Sequence, residues 1–326
     1  RRPDNTDRKI GNLTNWITHW GAGYDAMLVL DADSLMSGRA IMRLRDALAR
    51  DPSAGLIQSC PRLIRAETLF GRVQQFANTA YGWVLAEGLA LWSQHEGNYW
   101  GHNAIIRTKA FAASAGLPHL RGLTGRKRMI LSHDFVEAGL LRRAGWAVRF
   151  LPDVGGSYEE TPASLIDYII RDRRWCQGNL QHLRLLASRG FHPISRFHLF
   201  HGAISYLLSP AWFILLVFWA LLGVSPDTGV LQYFSLANPM YPDWPEMSPI
   251  SSLMLLLFMY SMLLAPQVMG ATAIALSPMH RRAYGGGRSF ALSFMVEVAA
   301  SIAYAPILMI QQTLAVLRSV VGLGVT

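Results

Sequence analysis

The stretch Leu28-Val29-Leu30-Asp31-Ala32-Asp33-Ser34 decides the fold. An apolar run that ends abruptly in two carboxylates is typical of a buried parallel strand that delivers both acids to its carboxyl edge. In open α/β sheets, ligands bind in the crevice outside that edge, and carboxylate oxygens are the ligands that a hard divalent cation prefers. A polar turn that merely closes a strand has the same letters, so the rest of the chain must separate the two interpretations.

The composition combines a basic region with an apolar one. The 326 residues are 51% hydrophobic and 16% charged, with a formal net charge of +9. After residue 200 the only Lys or Arg residues are Arg281, Arg282, Arg288 and Arg318. This balance favours phosphate-bearing substrates, an anionic membrane surface, or both. We expect no nucleic-acid partner, because no helix-turn-helix, zinc-finger or aromatic RNA-binding pattern accompanies the arginines.

Strands and helices are predicted to alternate after the acidic turn. The periodicity predicts an amphipathic helix over 37–50, a strand over 55–59, a helical aromatic stretch over 66–93, and strands over 104–107 and 146–151. Such alternation predicts an α/β fold with a doubly wound sheet. Thr161-Pro162 predicts a further helix start, with Thr at the N-cap and Pro at the first helical position.

Two polar groups in this region have alternative interpretations. Asp134, followed by Glu137 and an apolar run, has the pattern of a helix N-cap, but a cap carboxylate can also face a crevice. Arg171, Arg174 and Trp175 have i, i+3 and i+4 spacing and are therefore expected on one helix face. That face could bind a phosphate-bearing ligand or lie on anionic lipid.

Three apolar runs follow, at 203–223, 250–276 and 290–310, and each has about the length of a membrane span. The segment 224–249 contains acids and no Lys or Arg, whereas 277–289 is basic. The positive-inside rule therefore predicts that 277–289 and the globular part are cytoplasmic. We predict two regions, a cytoplasmic domain over 1–199 and a transmembrane helical region over 200–326. Glu297, inside the third run, is either functional or a sign that this run is partly interfacial.

The order of these features resembles the processive family 2 glycosyltransferases, the group of the cellulose and hyaluronan synthases. That family has an Asp-x-Asp pair, a Thr-Glu-Asp type motif and Gln-x-x-Arg-Trp, followed by membrane helices. Here the second motif reads Ser132-His133-Asp134, and Arg171 stands in place of Gln. With Gly-Ser-Tyr-Glu-Glu at 156–160 and Arg-Asp-Arg-Arg-Trp-Cys-Gln-Gly-Asn at 171–179, these departures resemble one branch, the glucans biosynthesis glucosyltransferase H family of Gram-negative bacteria.

The resemblance implies a role for each matching residue. Asp33 would hold Mg²⁺ or Mn²⁺ on a nucleotide diphosphate, and Asp31 would bind the ribose or share the metal. Asp134 would be the general base. Nucleotide-sugar binding is further implied for Lys9, Arg171 and Arg174, and acceptor binding for Trp175 and His102.

The implied fold is a GT-A type, doubly wound nucleotide-sugar-binding domain followed by transmembrane helices. We expect the domain to lack its first strand or strands, because the family's first nucleotide-binding Asp has no match here. The implied reaction is inverting transfer of glucose from UDP-glucose to a β-1,2-glucan of the periplasm, with export across the bacterial inner membrane. Besides the donor, the glucan acceptor and inner-membrane lipid, a periplasmic glucan-processing protein is an expected partner.

Two other functions stay open at this point. The chain could be an inactive or sensing membrane scaffold that only binds a nucleotide sugar. It could also synthesise another β-glycan, such as cellulose. The presence of both Asp31 and Asp33, with Asp134 and Arg174, disfavours the first alternative, and His133 with Arg171 disfavours the second.

Overall fold

The computed structural model describes residues 7–114, 116–117, 120–121, 127–224, 234–235, 238–242 and 249–322. The strands are β1 (Ala26–Val29), β2 (Ser34–Met36), β3 (Ala54–Ser59), β4 (Arg62–Ile64), β5 (Ala104–Arg107), β6 (Leu120–Arg121), β7 (Lys127–Arg128), β8 (Ala147–Leu151), β9 (Ser157–Glu160), β10 (Phe234–Ser235) and β11 (Asn238–Pro242). The helices are α1 (Arg8–Trp20), α2 (Gly38–Arg50), α3 (Leu69–Ala77), α4 (Trp83–Ser93), α5 (Thr108–Ser114), α6 (His133–Arg143), α7 (Leu165–His182), α8 (Pro193–Val224), α9 (Pro249–Leu276), α10 (Pro278–Ala283) and α11 (Gly287–Val321).

The main sheet is mixed, with the strand order β1-β5-β3-β8. Strand β5 is antiparallel to both β1 and β3, and β3 is parallel to β8, so β1, β3 and β8 run in one direction. The carboxyl ends of these three strands and the amino end of β5 therefore share one edge. The predicted strands are present, but the described partner of β1 is antiparallel. Burial alternates along β1, with Met27 and Val29 inside, so this strand is half-buried rather than fully buried.

A second, three-stranded sheet extends from the same edge, in the order β2-β9-β4. Strand β2 begins directly after the Asp31–Asp33 turn and pairs antiparallel with β9. In this register Ser34 lies opposite Glu159. The acidic turn therefore connects a strand of the main sheet to a strand of the second sheet.

Helices α2 and α6 cover the main sheet, each for a sequence reason. The Oγ of Ser37 accepts from the backbone N–H of Ala40 and caps α2, whose apolar stripe then packs Leu44 and Leu48 against Ile57 of β3. Helix α6 is apolar on two sides. It therefore packs against the sheet and also against the segment that leads into α8.

One predicted helix start was wrong. Helix α7 begins at Leu165, not after Thr161-Pro162, because the Ser164 side chain accepts from the Asp167 backbone N–H and forms the cap. The hydroxyl of Thr161 instead donates to Gln74 at 2.8 Å. The predicted helical stretch 66–93 is confirmed over Leu69–Ser93, where a π-helical turn over Asn78–Gly82 joins α3 to α4.

The three apolar runs form helices that are long and apolar enough to cross a membrane. The candidate spans are Pro193–Phe218, Leu253–Leu276 and Gly287–Val321. The first begins at Pro193, ahead of the predicted domain boundary at residue 200, and the third extends beyond the predicted end at 310. The acids of the connecting segment, Asp227, Asp243 and Glu246, lie outside the described residues.

Candidate functional site

The Asp31–Asp33 turn lies at the shared sheet edge and is held by short polar contacts. The Ser34 backbone N–H donates to the Asp31 carbonyl at 3.1 Å, and the Asp31 backbone N–H donates to the Ser34 hydroxyl at 3.2 Å. Lys9 of α1 reaches across to the Asp31 carboxylate, with 2.5 Å between Nζ and Oδ1. Asp33 is exposed. The turn thus presents one carboxylate that is already paired and one that faces solvent.

A groove of about 720 Å³ opens between α1 and β1. Lys9, Asn12 and Trp16 line one side, and the other side follows β1 from Ala26 to the acidic turn. Much of this groove therefore follows the outer edge of β1. Its charged end, at Lys9 and Asp31, is the part that could accept a polar ligand.

A chain of polar contacts continues from the acidic turn to α7. The Nδ1 atom of His102 lies 3.5 Å from the Ser34 hydroxyl, and its Nε2 lies 3.7 Å from the Glu159 carboxylate. The other oxygen of Glu159 lies 3.9 Å from Arg171. Burial raises the pKa of Glu159, and the nearby charges of Asp33 and Asp31 raise it further, while His102 and Arg171 oppose the rise. The carboxyl group of Glu159 therefore lies within electrostatic range of Asp31 and Asp33.

Helix α7 carries polar side chains with different contacts on two opposite faces. The guanidinium of Arg171 lies over the Trp175 ring, 4.5 Å from its centroid, and Arg174 and Trp175 are exposed on the same face. Arg174 forms no ion pair with any described residue. On the other side, Asp172 accepts from Tyr206 of α8 and Gln312 of α11. The predicted shared face of Arg171, Arg174 and Trp175 is therefore confirmed.

Asp134 lies in the first turn of α6, beside the amino end of β5. Ser132, not Asp134, occupies the N-cap position, so the interpretation of Asp134 as the cap was wrong. Gly101 adopts a φ of +99°, and a Cβ atom there would lie 2.6 Å from the Asp134 Oδ1. The carboxylate therefore rests on the face of a glycine that immediately precedes His102.

His133 and Glu137, one helical turn apart, lie behind Asp134. Nδ1 of His133 is 2.9 Å from Glu137 Oε1 and 3.3 Å from Asp134 Oδ1. Burial alone would lower the pKa of His133, but the hydrogen bond and charge of Glu137, with the charge of Asp134, raise it overall. Burial raises the pKa of Glu137, and His133 opposes that rise. The two side chains thus form a buried hydrogen-bonded pair.

Two groups of side chains have the chemistry to bind a metal ion. Asp31 and Asp33 offer the oxygen ligands that Mg²⁺ or Mn²⁺ prefers, and the Asp33 carboxylate faces solvent, so they fit such an ion. The donor atoms of His133, Asp134 and Glu137 lie within 4.8 Å of one another. There, however, the His133–Glu137 hydrogen bond already satisfies one donor and one acceptor. Although Asp31 is paired with Lys9, the Asp31–Asp33 turn is the better candidate, because it offers oxygen ligands only and its Asp33 carboxylate is exposed.

The structure brings the site residues predicted from sequence to one edge of the sheet. Lys9 pairs with Asp31, His102 connects the acidic turn to Glu159, and Arg171 with Trp175 continues from there. Sequence reasoning assigned no role to Glu159, His133 or Glu137. The i, i+4 spacing of His133 and Glu137 was the available signal for that pair.

Comparison with known proteins gives the family. Residues 26–273 match the family model described as "Glycosyl transferase family group 2". The chain is similar to proteins named "Glucans biosynthesis glucosyltransferase H" from three bacteria. Identity is 46% over 321 residues for Bradyrhizobium diazoefficiens (98% of this chain, 43% of the relative), 47% over 310 residues for Vibrio cholerae (95% and 43%), and 44% over 326 residues for Caulobacter vibrioides (98% and 49%).

The chain spans less than half the length of these curated relatives. The family match nevertheless covers the acidic turn, Gly101–Asn103, Asp134 and the Arg171–Trp175 face, together with the first candidate membrane span and most of the second. It therefore includes most of the residues that meet at the sheet edge. On this evidence the chain belongs to glycosyl transferase family group 2.

Proposed function

We propose that the protein transfers glucose from UDP-glucose to a growing β-1,2-glucan, with inversion at the anomeric carbon, and passes the product across the bacterial inner membrane. The observation that carries this proposal is the meeting of the acidic turn, Asp134 and the Arg171–Trp175 face at one sheet edge, next to membrane-length helices. The names of the similar proteins support glucose as the sugar and a glucan as the product.

Donor binding is assigned to the groups around the acidic turn. Lys9 and Arg174 would bind the diphosphate, since a guanidinium grips phosphate bidentately and keeps its charge. The Arg171 guanidinium lies over the Trp175 ring and would add positive charge to the same face of α7. Asp31 and Asp33 would hold Mg²⁺ or Mn²⁺, which supplies Lewis acidity at the leaving diphosphate when bound.

Asp134 is assigned the base. It takes the proton from the acceptor hydroxyl while that oxygen attacks the anomeric carbon, and the bond from this carbon to the UDP oxygen breaks on the opposite face. The attack from the opposite face converts an α donor into a β link. Trp175, whose ring lies against Arg171, would hold the acceptor sugar by stacking, and His102, which lies beside Glu159, would hold it by hydrogen bonding.

The test uses the full-length natural protein in membranes, supplied with Mg²⁺ and radiolabelled UDP-glucose. We expect label in a polymer whose linkage analysis gives β-1,2-glucan. A different linkage would identify another β-glycan synthase. Bound UDP-glucose without any polymer would favour the alternative of a nucleotide-sugar-sensing scaffold.

A further inference from the structure

We propose that Asn103 is a positioning residue for His102. Its side chain holds the Nδ1 atom of the imidazole and leaves Nε2 as the ring nitrogen that meets a hydroxyl group of the acceptor sugar. The proposal rests on the proposed function, because it concerns the acceptor side of that reaction. Asn103 is not offered as catalytic, since it acts only through His102.

Asn103 connects the imidazole to the second sheet through one buried amide. The residue directly precedes β5, is fully buried, and has a φ of +50°, a left-handed conformation that Asn tolerates better than most residues. Its Oδ1 lies 3.1 Å from Nδ1 of His102. Its Nδ2 donates to the Ser157 hydroxyl at 2.7 Å and to the Tyr158 carbonyl at 3.3 Å, both at the start of β9.

The neighbours of this amide determine which end faces His102. The Tyr158 carbonyl can only accept a hydrogen bond, so the amide atom beside it is the nitrogen. The Ser59 hydroxyl has a single hydrogen and donates it to the Asn103 backbone carbonyl at 2.9 Å. The hydroxyl oxygens of Ser59 and Ser157 lie 3.0 Å apart, so the hydrogen between them comes from Ser157. The Ser157 oxygen is then left to accept from Nδ2, and Oδ1 points to the imidazole.

The orientation of the amide determines which nitrogen of His102 carries a hydrogen. Oδ1 can only accept, so Nδ1 must donate to it. Nδ1 carries a hydrogen both in this neutral tautomer and in the imidazolium, so the assignment is the same for either charge state of the ring. The Ser34 hydroxyl lies farther from Nδ1, at 3.5 Å. The ring is therefore held through Nδ1, by Asn103.

The other ring nitrogen is the one available to a ligand. Nε2 lies 3.7 Å from the Glu159 carboxylate, which is beyond hydrogen-bond distance. The His102 side chain keeps 12% of its surface exposed, and it follows Gly101, the glycine that the Asp134 carboxylate rests on. A sugar whose hydroxyl reaches Asp134 therefore has neighbouring hydroxyl groups near Nε2. Hydroxyl groups both donate and accept, so they can bind Nε2 in either charge state of the ring.

The experiment measures the rate of polymer formation from radiolabelled UDP-glucose, and the Kd for UDP-glucose, with the full-length protein in membranes. Asn103→Gly keeps the left-handed backbone conformation and removes the amide. We expect the rate to fall about three- to tenfold with the Kd unchanged. His102→Gln removes the ring and should lower the rate at least as much. It tests the same step even if Asn103→Gly does not fold.

Two comparisons separate positioning from a purely structural role. In the His102→Gln background, Asn103→Gly should cause no further loss of rate, because the amide has no ring left to hold. Ser157→Ala is the matched control. It removes one hydrogen bond of the same amide on the side away from His102, while the Tyr158 carbonyl still fixes the orientation. Its rate should equal that of the natural protein, even if its Tm is lower.

Three results would overturn the proposal while leaving the proposed function intact. They are a natural rate in His102→Gln, an additive loss in the double variant, and a rate in Ser157→Ala as low as in Asn103→Gly. The last two would assign Asn103 only to the connection between β5 and β9. If the natural protein makes no glucan, the proposed function itself fails, and the role of Asn103 in acceptor binding fails too.

Discussion

Asp134 is the residue on which the proposed chemistry depends most. It combines a carboxylate at a helix N-terminus, an enclosed Oδ1 and a glycine face that leaves room for nothing larger. Asp134→Asn keeps the shape of the side chain and removes the carboxylate that acts as the base. Glucan synthesis should fall by about 10²- to 10⁴-fold, while the Kd for UDP-glucose stays unchanged. Polymer synthesis at the natural rate would mean that Asp134 serves only the start of α6.

Arg174 offers a second test at the scale of one residue. Its exposed guanidinium has no ion-pair partner among the described residues, so it is available to a ligand. Arg174→Lys keeps the charge but loses the bidentate geometry, and kcat/KM for UDP-glucose should fall at least about tenfold. The exposed Arg72 of α3, replaced by Lys, is the matched control and should keep normal kinetics. Normal kinetics in Arg174→Lys would instead favour contact with lipid headgroups.

The placement of Asp134 also depends on how two elements pack, because α7 lies against the start of α6. A Cβ atom at Gly178 would lie 2.6 Å from both the backbone nitrogen and the Cβ of Ser132, the N-cap residue of α6. Gly178→Ala should therefore push the first turn of α6, with Asp134, away from Trp175. We expect at least about tenfold loss of kcat with helical content unchanged by circular dichroism.

Gly88→Ala is the control for that change. Gly88 lies in α4, and nothing lies within 4 Å of the position of its Cβ atom. A helical Gly→Ala change in open space should stabilise the protein by about 0.5–1 kcal/mol and leave kcat unaltered. Equal kcat in the two variants would show that α6 tolerates displacement at its N-terminus.

Local patterns predicted most elements but not their pairing. Hydrophobic periodicity and the residues that end helices and strands are local signals. They were enough to predict the strands β1, β3, β5 and β8 and the helix α2. The antiparallel insertion of β5 between β1 and β3 was not, because strand direction depends on contacts far apart in sequence. Thr161-Pro162 misled because Ser164 is a competing cap three residues later, and the Thr161 hydroxyl is used by Gln74 of α3.

The residues of the candidate site also divide into those predicted from local patterns and those that depend on the fold. The acidic turn, Asp134 and the Arg171–Trp175 face were recognisable from spacing and order. Glu137 was not assigned a role, because a helix-cap pattern explained its carboxylate equally well and only the fold shows it buried against His133. Glu159 was missed because its position opposite Ser34 follows from strand register, which sequence alone leaves open.

At the scale of the whole molecule, the Tyr81–Glu297 contact is one of the buried polar contacts between the sheet-bearing part and the membrane helices. The Tyr81 hydroxyl, in the π-helical turn, donates to Glu297 of α11, and the Ser301 hydroxyl donates to the other carboxylate oxygen. Gly270 of α9 packs directly on the Tyr81 backbone, where a Cβ would lie 2.7 Å from Cα. Glu297 thus connects α11 to the π-helical turn of the sheet-bearing part.

Tyr81→Phe should destabilise this contact, because it leaves one oxygen of a buried carboxyl group without a donor. We expect a loss of about 1–3 kcal/mol, seen as a lower Tm in detergent. Glu297→Gln combined with Tyr81→Phe should lose less than the sum of the two single changes, because they act on one contact. Strictly additive losses would show that the two side chains are not coupled.

Membrane orientation is the remaining prediction for the whole molecule. The basic segment 277–289 lies on the same side as the catalytic elements, since the Tyr284 ring contacts Phe76 of α3 with centroids 5.7 Å apart. The positive-inside rule places that side in the cytoplasm and the acidic segment 224–249 outside. Met279 is exposed and suits a reporter cysteine, and Thr228 lies in the acidic segment.

A membrane-impermeant maleimide should label Met279→Cys only in inverted vesicles and Thr228→Cys only in intact spheroplasts. The natural cysteines should add little background, because burial raises the pKa of Cys60 to about 11 and of Cys176 to about 12, and thiolates are the reactive form. Replacing both by Ser gives the clean background for the two reporters. Labelling of Met279→Cys in intact spheroplasts would put the acidic turn and Asp134 outside the cell. UDP-glucose made in the cytoplasm could not reach them there, and the proposed donor would have to be abandoned.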